Sequence, residues 1–156
     1  MTQGEERLLT FEIGGLLFAM PIAGVLEVAE MGESACVPGV PPDVASVINY
    51  RGDALPVVHR TRLFDGSVDS AGAPEHVLVV SDRASGAARL GLDIDRVLGL
   101  VDGAGAISRD GDPVAERRPL GGRVAHILDP ARLVERARLT IEGSLPWSER
   151  ETRGGG

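Results

Sequence analysis

The sequence predicts an all-β fold, a barrel or sandwich of about ten short strands followed by one C-terminal helix. Three observations predict it. Short apolar runs recur along the chain, several of them alternating with polar residues at the period of a half-buried strand. Twenty-one glycines and ten prolines break these runs into short elements, which argues against a helical bundle. Aromatic residues make up only 3% of a chain that is 43% hydrophobic, so the core must be aliphatic. At 156 residues, the chain fits one domain or two small halves sharing a core.

Residues 8–13 place Leu9, Phe11 and Ile13 on one face and Thr10 and Glu12 on the other. Gly14-Gly15 supplies a two-residue hairpin turn, and residues 16–20 return as a second strand. Pro21 ends that ladder because it has no N–H to donate. Residues 22–24 leave room for one helical turn, and 25–29 read as the third strand. The Pro/Gly-dense stretch 31–42 predicts a shaped surface loop. Residues 44–50 and 54–58 are strands around an Arg51-Gly52-Asp53 turn, and a short helical turn at 59–64 closes the first half.

Residues 65–75 are the expected flexible connection. The run 76–80 is almost continuously apolar, which predicts a strand buried on both faces. A turn over 81–86 leads to strands at 88–94 and 96–101, then a Gly/Asp-rich loop over 102–113. The last strands are expected at 114–118 and 123–128. Asp129-Pro130 marks a helix start, with Asp as N-cap and Pro in the first position. That helix is expected over 130–139, with Leu133, Val134 and Ala137 facing inward. The expected halves are roughly 8–64 and 76–129, interleaved or sequential, with residues 1–7 and 143–156 as flexible termini.

Composition excludes several functions. The formal charge of −7 opposes binding to a phosphate backbone, so no nucleic acid is expected as a partner. All sixteen basic residues are arginine, a usage bias of the whole sequence. Cys36 is the single cysteine, which excludes intramolecular disulfides and multi-cysteine zinc sites. No run approaches the roughly 20 apolar residues of a membrane helix, so no direct membrane insertion and a cytoplasmic location are expected.

The chemistry-bearing residues form no catalytic pattern. His59, His76 and His126 lack ligand spacing, and His126 and Asp129 would point to opposite faces of a strand, so no metal is expected. Ser34, Ser46, Ser67, Ser81 and Ser85 lack a nucleophile-elbow context. Gly103-Ala104-Gly105 is not a phosphate loop. Cys36 has Glu33 nearby and no cation to activate its thiol. No cofactor and no enzymatic activity are therefore expected; the alternative is a small β-barrel enzyme using His59 or His126.

Residues 41–64 read PPDVASVINYRGDALPVVHRTRLF, a strand, an Asn-x-Arg-Gly turn and a second strand carrying Pro56. This segment resembles the chemotaxis coupling-protein (CheW-like) family. Leu9 to Gly14 is similar to the family's opening strand, Val25-Leu26-Glu27-Val28 to its Val-x-Glu-Ile stretch, and Leu90 to Val97 to its Gly-Val-Asp strand pair. Gly122 to Asp129, then Leu133, resembles its closing strand and helix, so the likeness spans 8–138. The resemblance implies two packed five-stranded SH3-like β-barrel subdomains. It also implies a non-catalytic adaptor joining the cytoplasmic tip of chemoreceptors to the regulatory domain of a CheA-like histidine kinase.

Carried onto this chain, the resemblance marks Arg51, Asn49, Gly52, Val25, Glu27 and Ser46 as protein-binding positions. Arg51 can fork onto a receptor carboxylate or carbonyl, or merely pin its own turn. Asn49 suits turn backbone groups, and Gly52 a conformation other residues dislike. Val25 and Glu27, expected on one strand face, suit either partner contact or ordinary packing. Ser46 replaces a family glycine, and Pro21 a polar residue. His59 replaces a family aspartate, which removes an anionic partner or helix cap.

Overall fold

The computed structural model describes residues 6–64, 76–81 and 86–145. The expected connection 65–75, most of the expected turn at 81–86, and residues 1–5 and 146–156 lie outside the described residues.

Among the described residues, eleven strands form two sheets, followed by one long helix. The strands β1 (Arg7–Ile13) and β2 (Leu16–Pro21) pair as an antiparallel hairpin, with Phe11 opposite Phe18. Gly14 (φ 59°) and Gly15 (φ 82°) provide the left-handed turn that matches the strand twist. A 3-10 turn at Ile22–Gly24 leads into β3 (Val25–Glu30). Then come β4 (Ser34–Cys36), β5 (Ala45–Tyr50), β6 (Asp53–Val58) and the one-turn helix α1 (Arg60–Leu63). The second part contains β7 (His76–Ser81), β8 (Ala88–Ile94), β9 (Arg96–Asp102), β10 (Val114–Leu120), β11 (Arg123–Leu128) and α2 (Pro130–Ser144).

The all-β class with a C-terminal helix is as the sequence predicts. One sheet runs β10-β11-β2-β1-β9 and the other β3-β7-β8-β6-β5-β4. Among the described residues these are two open, packed sheets rather than closed barrels. Strands of the halves 8–64 and 76–129 are interleaved in both sheets rather than following in sequence. The N-terminal hairpin joins the last three strands, and β3 to β8 make the other sheet. The parallel pair β2–β11 and the parallel contact of β6 with β8 produce this interleaving.

Strand periodicity explains where the core sits. Along β7, Leu78 and Val80 face a central core while Val77 and Val79 face another cluster, so both faces are buried as the apolar run predicts. The central core lies between the sheets, joining Phe11, Phe18 and Met20 to Leu90, Leu92 and Val58. Outer clusters form behind each sheet, around Leu17, Ala125 and Ile127 on one side and Ile48, Leu55 and Val57 on the other. Gly91 allows β8 to approach its neighbours: an added Cβ would lie 2.8 Å from Val77 Cγ2 and 3.0 Å from Val57 Cγ2.

Asp129 caps α2 through its carboxylate, which accepts from the Ala131 N–H, with Pro130 in the first turn as expected. Leu133 and Ala137 are buried against the central core, and Val134 is partly so. The helix continues past the expected end at residue 139 to Ser144. Arg138 bonds both Glu135 and Glu142, and Ile141 packs on the core, which carries the helix through another turn.

Candidate protein-docking site

The β5–β6 hairpin pairs Tyr50 with Asp53, leaving Arg51 and Gly52 as a two-residue turn. Such a turn matches the strand twist when both central residues have positive φ. Gly52 (φ 88°) takes this at little cost, and Arg51 (φ 52°) is the one non-glycine residue with positive φ among those described. A side chain in that region costs about 1–2 kcal/mol. Local bonds offset the strain. The Asn49 carbonyl Oδ1 accepts the Gly52 N–H at 2.8 Å, which puts Asn49 in the turn-supporting role.

The Arg51 head reaches across to β3. Its Nη2 donates to Glu27 Oε1 at 2.6 Å, and the Tyr50 hydroxyl donates to the same oxygen at 2.9 Å. The guanidinium carbon also lies 5.4 Å from the Tyr50 ring centroid, within cation–π reach. The Arg51 bond, and after it the Tyr50 bond, hold the Glu27 carboxyl below the ordinary carboxylate range. The Arg51 side chain nonetheless remains 74% exposed, so it has a free side for a second partner. Beside it runs a groove of about 470 Å³ lined by Leu26, Tyr50, Arg51, Ala54 and Leu55.

β3 brings apolar surface to the same place. Leu26 is 44% exposed, and Val28 is also exposed. The expected shared face of Val25 and Glu27 is not found. The register with β7 slips between them, with Val25 opposite Val80 and Glu27 opposite Val79. This bulge turns Val25 into the central core, while Glu27 bonds the hairpin turn. Ser46 stands between Cys36 and Val57 in the sheet, about 16 Å of strand away from Arg51, and does not join the cluster. The structure thus gathers Glu27, Asn49, Tyr50, Arg51 and Gly52, and adds Tyr50 and Leu26 to the residues read from sequence.

The histidines are engaged locally. His59 is the N-cap of α1: its Nδ1 accepts from the Thr61 N–H at 3.3 Å and lies 2.8 Å from Thr61 Oγ1. The imidazole therefore keeps the capping role that replacement of aspartate was expected to remove. His59→Ala should lower stability by about 1 kcal/mol. His59→Asp should retain it, as read by urea denaturation. His126 Nδ1 donates to the Leu17 carbonyl at 3.0 Å while its ring packs 5.1 Å from Phe18. Asp129 lies beyond β11, where it also accepts the Ser108 N–H at 2.8 Å. Among the described residues no three His, Cys, Asp or Glu side chains converge as metal ligands. Cys36 is exposed on β4.

One buried group escaped sequence reading. The Arg60 side chain is only 2% exposed and faces Asp93 at 3.4 Å and Asp95 at 2.9 Å. The Asp95 contact is close enough for an ion pair but poorly aligned for a hydrogen bond, leaving Nη1 without one. Asp95 also accepts the Gly14 N–H at 2.7 Å, so Arg60, beside β6, is tied through Asp95 to the β1–β2 turn of the other sheet.

The site thus combines a charged fork held by a strained turn with an adjoining groove and exposed aliphatic side chains. A family model described as CheW-like domain matches residues 7–138. Among solved structures, the chain is similar to the scaffolding protein TtCheW from Thermoanaerobacter tengcongensis. The identity is 18%, the TM-score 0.62, and the match covers 80% of this chain and 84% of that one. That likeness is one of fold. No curated protein matches the chain.

Proposed function

The chain belongs to the CheW-like domain family, and from that membership we propose that it is a non-catalytic adaptor coupling chemoreceptors to a CheA-like histidine kinase. It works in the cytoplasm at receptor arrays and uses no cofactor. The twin-sheet platform of residues 8–138 presents one surface to the kinase regulatory domain and another to the helical tip of a receptor.

The observation that carries this reading is Arg51, held at φ 52° in a tight turn and bonded on one side to Glu27 while most of its side chain stays in solvent. Strain of this kind persists where neighbours over-determine the backbone. A guanidinium oriented in advance loses little freedom when it forks onto a carboxylate or carbonyl. Leu26 and Val28 supply the adjoining apolar contact. Three neighbours read from sequence have other tasks: Asn49 and Gly52 shape the turn, and Val25 packs β3 against the core. Ser46 lies farther along β5, between Cys36 and Val57, and would meet a partner away from this turn.

Co-sedimentation tests the proposal. Receptor-bearing membranes, a CheA-like kinase and the purified chain are mixed, and kinase in the pellet is measured. The expected result is kinase recruitment that depends on this chain. Recruitment that is equal with and without it overturns the adaptor reading.

A further inference from the structure

We propose that β9 is a self-pairing edge, through which two copies of this chain associate about a two-fold axis. The strand reads Arg96-Val97-Leu98-Gly99-Leu100-Val101-Asp102, a palindrome whose ends carry opposite charges. It pairs with β1 on one side and ends its sheet on the other, so no described strand covers its outer edge. Val97, Leu98 and Leu100 are all exposed, Leu100 by 50%.

An antiparallel copy centred on Gly99 places Leu98 opposite Leu100 of the second copy and Val97 opposite its Val101. Arg96 then stands opposite Asp102 of the second copy, and the same pair recurs at the other end. Opposite charges and apolar residues facing one another are the favourable cross-strand pairs. The identical patch serves both copies, as a two-fold interface requires. A one-residue slip in register destroys both charge pairs, so the palindrome selects the centre.

The charges are available for this. Arg96 reaches Glu12 at 2.9 Å and Asp102 lies 3.9 Å from Arg7, but their side chains are 66% and 87% exposed. Exposed ion pairs of this kind exchange readily. Edge strands that avoid pairing use proline, inward charge or bulges. Here only a bulge is present, at Leu98, which the register with β1 skips. That bend and the single-strand contact keep the interface small, so the association is weak and transient.

Sedimentation velocity of the full chain over a concentration series up to about 1 mM tests the proposal. The expected result is a reversible shift from monomer toward dimer. Asp102→Arg, at a solvent-exposed position, sets arginine against arginine and should raise the dissociation constant at least about tenfold. Arg96→Asp combined with Asp102→Arg reverses both ends and should restore association. Leu100→Lys should abolish it. A chain that stays monomeric throughout overturns the proposal. So does a dimer indifferent to Asp102→Arg, or one that the double exchange fails to rescue. The adaptor function stands or falls separately, because its test reads kinase recruitment.

Discussion

Arg60→Ala is expected to cost about 3–5 kcal/mol of folding stability, a large share of the roughly 5–15 kcal/mol that holds a domain of this size. The substitution leaves Asp93, whose side chain is only 10% exposed, with no guanidinium opposite it. Burial already pushes the Asp93 carboxyl above its ordinary value of 3.8, with Arg60 pulling it back. Without Arg60 the folded state keeps a proton that the unfolded chain releases. The contribution of Asp93 to the variant's stability is therefore greatest below pH 3.8 and falls as pH rises through the raised folded value. Urea denaturation at several pH values reads both effects. Arg60→Leu with Asp93→Leu removes both charges and should recover most of the loss, since apolar packing replaces a buried ion pair well. A single-variant cost below about 1 kcal/mol would show that water or movement satisfies Asp93.

Arg51→Glu should have the largest effect on partner binding, weakening it at least tenfold while leaving the fold in place. The new carboxylate meets Glu27 where a 2.6 Å bond now stands, and the exposed cation disappears. Because Arg51 and Tyr50 lower the Glu27 carboxyl, their bonds to it persist above the ordinary value of 4.5 and are lost as pH falls through the lowered one. Exchanging the pair, with Glu27→Arg and Arg51→Glu, restores the attraction within the chain but not the cation on the turn. Partner binding should stay weak in the exchanged variant while the wild-type melting temperature returns. Recovery of binding would mean that the pair acts only by fixing the hairpin.

Local elements were legible because their determinants are local. Gly14-Gly15 specified a hairpin, alternation specified β1, the apolar run specified β7, and Asp129-Pro130 specified the start of α2. Pairings between distant strands were not legible. Nothing in the residues of β2 announces β11 as its parallel neighbour, because period 2 fixes a face and not a partner. The three-residue β4 was hidden in a Pro/Gly-dense stretch, since its order comes from β5 rather than from its own composition. Nothing in the sequence marks Arg60, within a short helical turn, as buried, because its acid partner lies 33 residues away.

The candidate site was partly legible. Family resemblance picked out Glu27 and Arg51 separately, but their bond spans 24 residues and only the fold shows it. Positive φ at Arg51 follows only from the observed pairing of Tyr50 with Asp53. That pairing shortens the expected three-residue turn to two residues and gives both positive φ, as in a type I′ turn. The bulge that separates Val25 from Glu27 likewise had no signal in the sequence.

Calorimetric titration of the purified chain with an isolated CheA-like regulatory domain, and separately with a receptor-tip fragment, decides whether this surface is an adaptor's. The adaptor reading predicts saturable heat with both ligands, and an affinity for at least one that falls tenfold or more with Arg51→Glu. Absence of binding to both ligands, with the chain folded, would contradict it.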